Sequence, residues 1–165
     1  MLASMTEIVT TDDAPHDGTT LPDVIVRGDA TGFAQRIQIG SHHLQADEPV
    51  GIGGTASAPD PYEYLLAGLG ACTPMTIGLY ARRNKWPLKD VTVNLRHSRI
   101  HAQDCAECDT KTGLLDRIEL EIDLKGELTP EQRAKLIEIA HKCPVHRTLK
   151  SELEIKIRPT PPPAV

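Results

Sequence analysis

The chain has 165 residues with 39% hydrophobic and 25% charged side chains, enough to bury one core of ordinary domain size. A formal net charge of -5 and only 3% aromatic residues argue against a nucleic-acid partner, which needs a basic surface and stacking platforms. The N-terminus has neither a basic nor an apolar targeting region, and no apolar run reads as long enough to span a membrane, so a cytoplasmic chain with no membrane partner is expected.

Residues 1–20 are polar and without period and read as a mobile arm. Residues 21–158 read as a single domain, and the tail 159–165, PTPPPAV, as disordered. Within 23–47, Val24 and Val26, then Ile37 and Ile39, alternate with polar residues, which predicts a short β-meander turned by Gly28, Gly32 and Gly40. Residues 48–60 are a loop rich in Gly, Pro and Ser. Residues 61–83 are apolar on nearly every side and predict a helix at the centre of the fold. Pro61 suits its first turn, and Pro74 removes an amide donor and predicts a kink two residues after Cys72. Gly68, Gly70 and Gly78 leave room for another backbone.

Alternation at Val91, Val93 and Leu95, at Ile118, Leu120, Ile122 and Leu124, and at Leu153, Ile155 and Ile157 predicts three strands of a sheet with one wet face. Between the last two, Thr129-Pro130-Glu131-Gln132 is a capping box opening a helix to about His141. A short helix follows from Cys143-Pro144 to about Lys150. The order defines an α+β fold: a β-meander, a long central helix, and a second small sheet with two helices.

Four cysteines in such a chain read as reduced, reactive or metal-binding rather than as a disulfide framework. Cys143 sits at a predicted helix N-cap, where exposed amides stabilise a thiolate, with His141, Lys142, His146 and Arg147 nearby in sequence. Cys72 lies in a buried helix and needs a polar partner to act as a nucleophile. Either thiol read singly is equally a small buried hydrophobe. The loop His101–Cys108 combines C-x2-C with His101 and Asp104, which is half of a four-ligand metal site, and His97 is a further ligand candidate. The same two thiols also read as a redox pair without metal, or as a polar loop with two unrelated cysteines. No other cofactor is expected.

Two segments together carry a resemblance. Residues 59–72, PDPYEYLLAGLGAC, and residues 143–149, CPVHRTL, resemble the two cysteine motifs of the OsmC/Ohr family, the osmotically inducible and organic-hydroperoxide-resistance proteins. The resemblance covers roughly residues 23–157. Residues 70–76 with Asn84–Leu88 resemble most a branch also found fused behind hydrolase domains, which tends to carry the His-Ala-x-Asp-Cys-x-x-Cys loop. The resemblance implies an intertwined homodimer that reduces organic hydroperoxides. It makes Cys72 the attacking thiol and Cys143 the resolving one, with a dithiol reductant resetting the pair. The electrostatics of the sequence alone favour Cys143 as the more acidic of the two. The family's catalytic shell also holds a glutamate and an arginine. Glu63 lies nine residues before Cys72 where the Ohr branch has ten, a 100° offset on a helix that would turn it away, with Tyr62 in the shifted place. Arg27 and Arg36 are the arginine candidates.

Overall fold

The computed structural model describes residues 24–159. The expected arm, and the tail beyond Pro159, lie outside them. The chain divides into two compact units, one ending at Pro59 and one starting at Asp60.

The first unit is the meander. Strands β1 (Val24–Gly28), β2 (Gln35–Ile39) and β3 (His42–Ala46) form an antiparallel sheet in the order β1-β2-β3. Arg27 pairs with Arg36 across β1 and β2. Val24, Ile25 and Val26 are all exposed, so this sheet leaves apolar side chains uncovered. The following loop is organised by Asp47, a residue only 2% exposed. Its carboxylate accepts from the Glu48, Thr55 and Ser57 amides and from both hydroxyls. The Thr55 hydroxyl, followed by the Ser57 and Glu48 amides, holds this carboxyl well below the usual carboxylate range. Its contribution to stability is therefore present above pH of about 4 and is lost only as pH falls through the depressed folded value.

The second unit is built on helix α1 (Pro61–Arg83). Asp60 caps it, accepting from the Glu63 amide at 2.8 Å, while the Glu63 carboxylate accepts from the Asp60 amide at 2.9 Å. The helix continues through Pro74. Strands β4 (Leu88–His101) and β5 (Leu114–Gly126) form a long antiparallel hairpin, from Leu88 opposite Gly126 to His101 opposite Leu114. Helices α2 (Pro130–Ala140) and α3 (Pro144–Lys150) follow, and α2 opens on the Thr129/Gln132 capping box. The core gathers Ile77 and Ala81 of α1, Leu124 and Leu128, and Leu136 and Ala140 of α2. Gly126 ends β5 at φ 140°, where a Cβ would lie 2.1 Å from the Pro87 carbonyl oxygen, so only glycine fits.

Three expectations are corrected. Gly70 makes room for the Leu95 side chain rather than for a backbone, since a Cβ there would meet Leu95 Cδ1 at 2.8 Å. Contrary to the reading that no run reaches spanning length, α1 has the length and mean hydropathy of a membrane-crossing helix. It packs against β4, α2 and α3, as a core helix does. The strand expected over 152–157 is not formed: these residues have no ladder partner among the described residues, and Leu153, Ile155 and Ile157 are 53%, 82% and 94% exposed. Alternation sets which face a strand would bury, but hydrogen bonding needs an edge to pair with.

Candidate active site

Helices α1 and α3 bring the two thiols together. Cys72 lies at the middle of α1 and Cys143 is the N-cap residue of α3, and each thiol acts on the acidity of the other. Cys143 is fully buried and Cys72 half-buried, so solvent reaches the pair from the Cys72 side. Pro144 occupies the first turn of α3, where its missing amide costs nothing. The next amides, of Val145 and His146, are then left to act on sulfur.

The two thiols are pushed apart in acidity. Burial raises the Cys143 thiol, but the Cys72 thiol, the His146 amide, the Thr73 hydroxyl and the Val145 amide together outweigh it, and Cys143 falls below the ordinary cysteine value. These amides do not close a formed capping bond in the neutral thiol. Their positive ends favour the thiolate, as at any helix N-terminus. Burial raises Cys72, and donation to Cys143 raises it further, against smaller opposing effects of the Val145 amide and the Thr76 hydroxyl. Of the two, Cys143 is the better anion.

The threonines need a qualification from geometry. The Thr73 hydroxyl donates its one proton to the Leu69 carbonyl at 2.9 Å, and Thr76 donates to the Cys72 carbonyl at 2.9 Å. In this state each offers sulfur a lone pair only. Each must rotate away from its carbonyl before it can stabilise a thiolate. The sequence analysis did not single out either threonine; their places one and four residues after Cys72 are the only signal, and back-bonding of this kind is visible only in three dimensions.

Other expected residues fall elsewhere. Glu63 is spent on the α1 capping box, about 13.5 Å of helix rise from Cys72, and does not reach the thiols along this helix. Tyr62 stacks on His97 at 4.5 Å, and His97 also meets Asp116 at 3.0 Å. Arg27 and Arg36 lie in the first unit, where with Asp29, Gln35 and Ser57 they line a cavity of about 200 Å3. Burial, then His141 and Lys150, lowers the pKa of His146, so it is neutral at pH 7 and adds no positive potential at Cys143. Lys142 is paired with Glu138 at 3.4 Å.

The expected metal site at His101, Cys105 and Cys108 is not assembled. Cys105 and Cys108 are joined in a disulfide, which leaves no thiolate to ligate, and His101 is exposed at the end of β4. Among the described residues no group of three or more His, Cys, Asp or Glu is arranged to hold a metal ion. The four cysteines, read as reduced, reactive or metal-binding, thus divide into one bonded pair and two free thiols, Cys72 and Cys143.

Fold and site together define a small α+β protein with an interacting pair of free cysteines at two of its helices. The chain belongs to the OsmC-like protein family, whose model matches residues 54–158. Its fold is similar to that of an OsmC-like protein from Mycoplasma pneumoniae, with a TM-score of 0.62 and 21% identity over 80% of this chain and 89% of that one. It is also similar to an organic hydroperoxide resistance protein OsmC from Legionella pneumophila (TM-score 0.58, 22% identity, 79% of this chain and 91% of that one). The organic hydroperoxide resistance protein OhrB of Bacillus subtilis gives a TM-score of 0.56 at 21% identity, over 83% of this chain and 96% of that one. No protein of curated function is similar enough in sequence to count as a match.

Proposed function

We propose that the protein reduces organic hydroperoxides through Cys72 and Cys143, as a stress-defence thiol enzyme working as a homodimer. The observation that carries this is the pair itself: two free thiols that act on each other's acidity, one accessible and one acidic. Loss of one proton gives an anion shared between the sulfurs. In the tautomer with the charge on Cys72, its sulfur attacks the terminal oxygen of ROOH and the O–O bond breaks. The alkoxide takes the proton from Cys143 and leaves as ROH. Cys72 is now a sulfenic acid facing a Cys143 thiolate, which attacks the sulfur, forms the disulfide and expels hydroxide. A dithiol then exchanges with the disulfide and restores both thiols. Turnover of cumene hydroperoxide with a dithiol as reductant tests this directly; no oxidant consumption above the uncatalysed rate counts against it.

The acidity of the pair sets a pH dependence. Cys143 is lowered, so the first proton leaves below its unperturbed value of 9.0. The rate of thiol oxidation should rise with pH and level off below that value. A rate still climbing steeply at pH 9 would mean that the pair is not pre-ionised.

The homodimer reading rests on uncovered apolar surface. Leu153, Ile155 and Ile157 alternate with no ladder partner among the described residues. An extended segment of this pattern is suited to pairing with an edge of a second copy. Light scattering should give a dimer at micromolar concentration, and removal of the residues after Ser151 should weaken it. A stable folded monomer in the intact chain would contradict the reading.

A further inference from the structure

The Cys105–Cys108 disulfide plays no part in the chemistry above. It spans three residues in the loop that joins β4 to β5. A ring this short removes little freedom from the unfolded chain, so it is a poor staple. The hairpin does not need it either. The ladder is paired up to His101 opposite Leu114, the Ala102 amide donates to the Gly113 carbonyl at 2.9 Å, and the Lys111 ammonium donates to the Cys108 carbonyl. Both cysteines are half-buried, while Gln103, Asp104, Ala106, Glu107 and Asp109 around them are exposed. An attacking thiolate therefore has access to sulfur, and opening the bridge uncovers no core. On the same loop a surface hollow of about 230 Å3, lined by His101, Gln103, Lys111 and Thr112, offers a place for a small molecule to rest.

We infer that Cys105 and Cys108 are a second, reversible dithiol–disulfide site, which exchanges electrons with an external dithiol that carries no net negative charge. The charge preference follows from Asp104, Glu107 and Asp109, which outnumber Lys111 on the loop. In the exchange a thiolate of the dithiol attacks one sulfur of the bridge, breaks the S–S bond and expels the other cysteine as a thiolate. The second thiol of the dithiol then attacks its own sulfur in the mixed disulfide. It releases the remaining cysteine and departs as a cyclic disulfide. Two electrons pass to the protein, and the two protons of the dithiol neutralise the two cysteine thiolates.

The site can be read separately from Cys72 and Cys143 in the intact chain. Trypsin cuts after Arg99 and Lys111 and releases both loop cysteines on one fragment, Ile100–Lys111. The protein is equilibrated in ratios of reduced to oxidised dithiothreitol, quenched in acid, alkylated with a maleimide and digested. The fragment should gain two maleimides together, lose them again as the oxidised form is raised, and do so with circular dichroism and melting temperature unchanged. The same transition should survive in the Cys72→Ser/Cys143→Ser variant, so failure of the peroxide chemistry would leave it standing. At low salt, neutral 2-mercaptoethanol should reduce the bridge about threefold or more faster than anionic mercaptosuccinate at equal thiolate concentration, and the gap should close at high salt. A bridge that opens only when the protein unfolds, or two loop thiols that stay free under oxidising ratios, would overturn the inference. Equal rates for the two monothiols at low salt would remove its charge selectivity.

Discussion

Cys72→Ser should abolish hydroperoxide turnover, with a loss of at least about a thousandfold in rate. A serine hydroxyl is not ionised near neutral pH and is a poor nucleophile toward a peroxide oxygen. The buried Cys143 that remains is an acidic thiol without access, because it is 0% exposed. Cys143→Ser should behave differently. The first attack at Cys72 still occurs, slowed because the Cys143 thiol no longer gives its proton to the leaving alkoxide. The sulfenic acid then has no resolving thiol, so catalysis stops after one turnover and excess oxidant carries Cys72 on to the sulfinic acid. If the phenotypes are reversed, Cys143 is the attacking thiol. That outcome would favour the acidity of Cys143 over the accessibility of Cys72 as the deciding property.

This division between the two thiols shows what the sequence holds and what it does not. The N-cap position of Cys143 was legible from Cys143-Pro144, because a proline in the first turn marks the helix start and the amides behind it favour a thiolate. That the thiols meet was legible only through family resemblance, since nothing in the spacing of residues 72 and 143 joins two helices. The cap at Glu63 was hidden in plain view. Asp60-Pro61-Tyr62-Glu63 has the capping-box spacing, yet the family pattern drew Glu63 toward the thiol instead. The strands β4 and β5 were legible because period-2 alternation over a long run leaves little choice. The 152–157 segment has the same alternation and no strand, because its partner edge is not supplied within the described chain. The loop disulfide could not be read from C-x2-C alone, which suits metal, redox pair or bridge equally.

Organic hydroperoxides should react faster than hydrogen peroxide, by on the order of a hundredfold. Leu65, Met75 and Leu79 stand seven residues before, three after and seven after Cys72, so they share its helix face. They are 39%, 70% and 43% exposed, an apolar stripe beside the accessible sulfur. Leu69 and Ile77 are buried in the core and contribute no surface. An alkyl tail gains about 0.8 kcal/mol for each buried CH2, so four carbons give roughly 3 kcal/mol before ordering costs. Hydrogen peroxide has no tail and gains none of it. Second-order rates of thiol oxidation for hydrogen peroxide and cumene hydroperoxide measure the ratio. Equal rates would mean that the stripe is covered, by a second copy or otherwise, and takes no substrate. Met75→Glu should narrow the ratio by placing charge where the tail would lie.

The central claim is that Cys72 and Cys143 form one redox unit, and peptide mapping after a single turnover tests it most directly. The fully reduced chain is given one equivalent of cumene hydroperoxide, free thiols are blocked, and the tryptic fragments are weighed. A disulfide joining the Cys72 fragment to the Cys143 fragment is expected, formed through a sulfenic acid at Cys72 that is trapped when Cys143 is serine. Oxidation confined to Cys105 and Cys108, with Cys72 and Cys143 still free, would contradict it.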